Sequence, residues 1–187
     1  MDQKRIIDEF KELVSIEVHS RDERAIADVL KEKLTALGLT VTEDKAGEVL
    51  GGNTGNLYAQ LPGSADGEPV LFSAHMDRVG NHGHIVPLVK EEEGKIVSDG
   101  TSILAGDDIG GVAAILAMLR EVKEKQIPHG LIEVAFSVRK RASKARASMI
   151  FPSSARRALS YMMPPARRGP SSLPLRARGV SRSVCMA

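Results

Sequence analysis

Two stretches hold residues whose types and spacing suit chemistry. In "SAHMDRVG", His75 and Asp77 close an apolar run. On a strand, residues i and i+2 point the same way, so the Asp77 carboxylate can reach the His75 ring. A carboxylate on one ring nitrogen fixes the tautomer and leaves the other nitrogen for a metal. A surface His and Asp in a turn would show the same spacing. In "SDGTSILAGDDIGG", Asp107 and Asp108 precede a helical pattern. An Asp N-cap accounts for one of the two. It leaves the apolar Ile103–Leu104 lead-in unexplained, and that lead-in predicts a strand delivering a carboxylate into a site. Gly110 and Gly111 allow close backbone packing there.

The elements that must position these residues follow from periodicity. Ile6, Ile7, Phe10, Leu13 and Val14 recur at helical spacing. Ser20 and Glu23 form a capping-box pattern that opens a second helix, with Ile26, Val29, Leu30, Leu34 and Leu37 on one face and Gly38 as its stop. "LTVTED" and "NLYAQLPG" read as strands, the second ending in a Pro-Gly turn. "PVLFSAH" and "LIEVAFSV" read as buried strands. "HIVPLVK" and "GKIVSDG" form a hairpin around Glu91–Gly94, and "DDIGGVAAILAMLREVKEK" is a helix. Strands interleaved with long helices predict a three-layer α/β architecture. The glycine-rich "GGNTGN" leads into a strand, so it is a turn; a phosphate cradle would lead into a helix N-terminus. His19, His82, His84 and His129 are read as solvated, with the His82-x-His84 pair the one alternative metal-binding spacing.

Charge divides the chain in two. Residues 1–138 hold 14 basic residues against all 24 acidic ones; residues 139–187 hold 12 basic residues and no acidic one. The single cysteine, Cys185, excludes an internal disulfide. The charged, amphipathic "MDQKRIIDEF" lacks an apolar signal region, and no stretch approaches the roughly 18 apolar residues of a membrane span. The expectation is a soluble cytoplasmic protein with no membrane partner. Twelve cations without anions would hold phosphate non-specifically. With Tyr161 as its one tyrosine and no amphipathic period, the tail has no stacking pattern, so specific nucleic-acid recognition is not expected.

Together, "HMD" and "SDGTSILAGDDIGG" resemble the co-catalytic di-zinc exopeptidase family, which includes tripeptide aminopeptidase (peptidase T), carboxypeptidase G and the desuccinylases. "GNLYAQLPG", "SDGTSIL" and "KEKQIPHGLIEVAFSV" lean toward the peptidase T-like branch. The resemblance covers residues 1–138 and none of 139–187. It implies a three-layer αβα catalytic domain, here incomplete. It also implies a hydrolase, a zinc metallopeptidase that releases the N-terminal residue of short peptides, with a homodimer possible for the intact protein. His75 would ligate one zinc, Asp107 would bridge two, and Asp77 would be the catalytic aspartate that orients His75. Two zincs about 3.5–4 Å apart need such a bridging carboxylate. Arg78 departs from the family pattern and predicts a cation beside the metals. A deacylase or desuccinylase of the same clan is the alternative enzyme, and a basic nucleic-acid-binding product the alternative outside enzymes.

The family pattern continues after "EVAFSV" with an adjacent Glu-Glu, the general base and a metal ligand, then an Asp ligand and a final His. This chain has "RKRASK" there and no Asp, Glu or His after Val138. The genetic code supplies a reason. Reading the third base of one codon with the first two of the next, Met149–Ile150 and Met162–Met163 both force GAT, aspartate. Val138 to Ala142 permit Ala-Glu-Glu-Gly, and Met149 to Pro152 permit Asp-Phe-Ser. The remaining frame meets the stop TGA at Met149–Ile150. The expected organisation is therefore 1–138 as a fragment of the catalytic domain and 139–187 as a basic, low-complexity, frameshifted tail, too poor in apolar residues to order. Sequencing the gene across codons 138–142 is expected to show that a single-base shift restores an open Glu-Glu frame; the absence of such a frame would remove this explanation.

Overall fold

The computed structural model describes residues 2–19, 21–78 and 84–138. His82 and the basic segment 139–187 lie outside these residues, as does Ser20 of the expected capping box. Helix α1 (Gln3–Ser15) is capped by Asp2, whose carboxylate accepts from Lys4 N at 3.0 Å. Helix α2 (Arg24–Ala36) buries Ile26, Ala27, Leu30 and Leu34 and ends where Gly38 takes φ +92°. Strand β1 (Thr40–Glu43), the short helix α3 (Ala46–Leu50) and strand β2 (Leu57–Leu61) follow. Then come β3 (Val70–His75), the hairpin β4 (Pro87–Lys90) and β5 (Lys95–Ser98), helix α4 (Gly106–Glu124) and β6 (Ile132–Ser137).

The main sheet has the order β1-β2-β6-β3. β2 runs antiparallel to both neighbours, and β3 runs parallel to β6. Register decides which side chains share a face. Leu57, Ala59, Val134, Phe136 and Ala74 alternate onto one side and join one apolar core with Phe10, Leu13, Ile26, Leu30, Leu34, Ile109, Val112 and Leu116. Thus α1, α2 and α4 pack on that face. The other face carries Tyr58, Gln60, Glu133 and Ala135. There Tyr58 donates its hydroxyl to the buried Glu133, and Gln60 Nε2 donates to Tyr58 Oη at 2.8 Å. Helix α4 buries Val112, Ala113, Ile115, Leu116, Ala117 and Leu119, over more than half its circumference, because it lies between the sheet and α1. Among the described residues no helix is long and apolar enough to cross a membrane.

One buried carboxylate ties the helical layer together. Glu9 of α1 sits 3.0 Å from Lys33 of α2 and 2.5 Å from Arg120 of α4. Burial raises the pKa of Glu9, but the bonds to Arg120 and Lys33 outweigh it and hold the carboxyl below its ordinary value. Glu43 is lowered in the same way: burial opposes, and Arg24, Gly55 N, Lys31 and Thr54 prevail. A carboxyl depressed in the folded state adds stability that is present above the ordinary carboxylate range and lost as pH falls through the folded value. Removing the charge from a partly buried pair should cost about 2 kcal/mol, less than the 3–5 kcal/mol of a fully buried one, since Lys33 and Arg120 keep some access to water. Glu9→Gln is therefore expected to lower the unfolding free energy at pH 7 and to flatten its decline between about pH 5 and pH 3. Urea denaturation of both proteins across that range measures the two effects, and parallel acid limbs would count against the assignment.

Candidate metal centre

Strand β3 delivers His75. The strand is parallel to β6, with His75 opposite Ser137, and the ladder continues one step as Met76 N donates to Ser137 O at 2.7 Å. His75 is buried, and its ring lies between acceptors. Nδ1 is 3.0 Å from Asp77 Oδ1 and 3.2 Å from the Asp77 carbonyl oxygen; Nε2 is 3.2 Å from Asp107 Oδ1. Burial works against the charged ring, but Asp77, Asp108 and Asp107 together outweigh it, so the pKa of His75 lies above the ordinary histidine value. The three residues that the resemblance assigns to the site thus meet: Asp77 behind the ring, Asp107 before it.

The route to Asp107 differs from the expectation. Ile103 and Leu104 form no strand; the chain is irregular from Thr101 to Ala105, with Ile103 exposed and Leu104 half-buried against the core. Ala105 takes φ +57°, a left-handed conformation that turns the chain abruptly into α4. The turn leaves the Asp107 side chain 66% exposed. Asp108 points the other way. In the parallel ladder Met76 N–H faces β6, so His75 N–H faces outward, and Asp108 Oδ2 accepts from it at 3.1 Å. One aspartate therefore holds the main chain of His75 while its neighbour meets the ring. Spacing alone did not reveal this role. The signal was Gly111: a Cβ there would overlap the Asp108 carboxylate, so glycine leaves the space that the carboxylate occupies.

Arg78 is not a cation aimed at the metals. Its guanidinium is buried and donates to the carbonyls of Val14 at 3.0 Å and Leu13 at 2.7 Å, the last turn of α1. Helix-end carbonyls lack the full helical pattern (Leu13 O accepts from the C-cap Ile16 N, at 3.4 Å), and a cation at a helix C-terminus is favourable. Burial alone pushes the pKa of Arg78 down to about 10. The residue that looked out of place joins α1 to the loop after β3. The remaining described histidines stay outside the site: His19 bridges to Asp22, His84 is exposed, and His129 Nδ1 lies 2.7 Å from Gly130 O.

As metal donors, His75 and Asp107 fit. An imidazole nitrogen and an accessible carboxylate oxygen converge, and the second ring nitrogen is held by a carboxylate. Among the described residues no group of three or more His, Cys, Asp or Glu joins them to complete a site.

Known proteins resemble the chain over the same residues. The model of peptidase family M28 matches residues 56–138, from the start of β2 to the end of β6. The protein YqjE of Bacillus subtilis is 38% identical over 138 residues, 74% of this chain and 37% of that one. The crystal structure of the aminopeptidase PepT from Bacillus cereus is 42% identical with a TM-score of 0.69, over 73% of this chain and 36% of that one. A tripeptidase structure from Staphylococcus aureus is 38% identical with a TM-score of 0.70 at the same coverage. Over residues 1–138 the chain is similar to peptidase T-like peptidases. It spans about a third of the length of these relatives. Within this peptidase T-like frame, Gly111→Ala is expected to dislodge the Asp108 carboxylate. Exchange of the His75 amide should rise at least tenfold, and stability should fall by about 1–3 kcal/mol, the range for overpacking. NMR-detected exchange and urea melts measure both, and an unchanged His75 amide would contradict the role given to Gly111.

Proposed function

We propose that residues 1–138 are the N-terminal part of a zinc-dependent cytoplasmic aminopeptidase that releases the N-terminal residue of short peptides, tripeptides included. The 187-residue chain itself, on this reading, does not turn over. The observation that carries it is the convergence of His75 Nε2 and Asp107 Oδ1 at 3.2 Å, with Asp77 behind the ring. Similarity to an aminopeptidase and a tripeptidase supports it.

Zinc, when bound, polarises the scissile carbonyl and makes a water acidic. The chain's own residues prepare for that chemistry. In the neutral ring, Asp77 favours the proton on His75 Nδ1, the tautomer that would leave the Nε2 lone pair to a metal. Asp108 restrains the main chain of His75, and Asp107 presents a carboxylate oxygen beside Nε2. The general base is what is missing. A glutamate in that role contributes typically 10²–10⁴-fold. Arg139 and Lys140 follow Val138 instead, and their charges oppose the binding of dications.

The segment 139–187 is the out-of-frame part of this reading, and a homodimer belongs to the intact enzyme. A tripeptide assay with added zinc is expected to show no release of the N-terminal residue by the 187-residue chain. The protein expressed from the frame-restored gene should cleave, and His75→Ala should abolish that cleavage. Zinc-dependent turnover by the 187-residue chain would refute the inactivity, and an inert frame-restored protein would refute the aminopeptidase.

A further inference from the structure

We propose that Asn56, locked in place by Asp44, is a positioning residue that sets where the chain leaves β6 beside the candidate metal centre. The proposal rests on the aminopeptidase reading, in which the residues after Val138 enter the site. The main-chain pairing of β2 with β6 stops at Leu57 opposite Phe136. One step further, a side chain replaces it: Val138 N donates to Asn56 Oδ1 at 3.0 Å. On the other flank Met76 N donates to Ser137 O. The last two described residues of this segment are therefore gripped from both sides, by the turn before β2 and by the loop that carries Asp77.

Asn56 cannot turn its amide around. Its Nδ2 donates to Asp44 Oδ2 at 2.8 Å, and its own N–H donates to Asp44 Oδ1 at 2.8 Å. The main chain completes the pair, since Asp44 N donates to Asn56 O at 3.0 Å. With the amide nitrogen committed to a carboxylate, the oxygen must face Val138. Asn56 is 3% exposed, so water does not substitute readily for these bonds. Gly55 permits the approach, because a Cβ there would collide with the main chain of Asp44. Nearby Glu43 accepts from Gly55 N and from the Thr54 hydroxyl, both at 2.9 Å, which steadies the turn itself. An isolated structural asparagine needs none of this support; one that must hold a single orientation does.

The test is a charge swap in the full 187-residue chain, read by amide hydrogen exchange. Asn56→Asp places two carboxylates face to face. Exchange at Val138 is expected to rise at least tenfold while exchange at Val134, inside the ladder, stays within twofold. Adding Asp44→Asn reverses the donor and acceptor: the new amide donates to the carboxylate introduced at position 56, whose other oxygen again accepts from Val138. Protection of Val138 should then return to the wild-type level. Asn56→Leu offers no acceptor, so Asp44→Asn should not restore it. Unchanged exchange at Val138, a rise shared equally with Val134, or failure of the swap to restore protection would each overturn the proposal. If Asn56→Asp alone does not fold, the double variant decides by the same measure. Peptide turnover enters none of these readings, so they stand or fall separately from the aminopeptidase.

Discussion

Everything at the candidate site depends on the parallel pairing of β3 with β6. Parallel strands cannot be joined by a tight turn; they need a crossover, and here α4 supplies it. A crossover helix runs back against its strands, so the N-terminus of α4 returns to the end where β3 and β6 finish. Three things then meet at one edge of the sheet: His75 from β3, Asp107 and Asp108 from the start of α4, and the exit of β6 at Val138. The carboxylates also sit where a helix N-terminus favours negative charge. The burial of α4 between the sheet and α1 makes this arrangement rigid. Placement of the chemistry is thus a consequence of chain direction and core packing.

Charge is sorted between scaffold and site. The buried Glu9 joins three helices through Lys33 and Arg120. The buried Arg78 is occupied by the carbonyls at the end of α1. Among the described residues, Asp77 and Asp107 face the His75 ring and Asp108 holds its main chain. Carboxylates suit a cation site, and among the described residues Arg78 is directed away from them. A lysine at position 78 would present one compact charge in place of a fork and could not reach two carbonyls with the same geometry.

Periodicity and spacing carried the long helices, the core strands, the hairpin and the pairing of His75 with Asp77, because each of these is written in short stretches of chain; the place of Asp107 beside them came from the family resemblance. The helix α3 escaped notice since five residues carry no usable period. The lead-in at Ile103–Leu104 misled for a different reason. Two apolar residues looked like a strand, yet a strand needs a neighbour with free hydrogen-bonding groups, and the turn at Ala105 serves the site without one. Arg78 was legible as a cation but not as a partner of Leu13 and Val14, 65 and 64 residues away. Separation in sequence also hid the contact of Asp108 with His75, 33 residues apart, and of Asn56 with Val138, 82 apart. Contacts of this kind are set by the tertiary fold, and no local pattern announces them.

The join at Val138 separates what the fold needs from what the chemistry needs. β6 is complete: Ile132, Val134 and Phe136 fill the core, and Ser137 and Val138 are held by Met76 and Asn56. None of those interactions involves a side chain beyond 138. The chemistry of the aminopeptidase reading has the opposite dependence. It uses a base and further anionic ligands after β6, where the sequence reads Arg139, Lys140 and Arg141. At about 4 Å, two like charges repel by roughly 4 kcal/mol at the effective dielectric of a protein surface. On that reading, a basic residue in place of an anionic ligand takes away charge that a dication needs. A chain can therefore keep the geometry of the first two donors and still lack the reaction, because geometry is built by the residues before the join and charge balance by the residues after it.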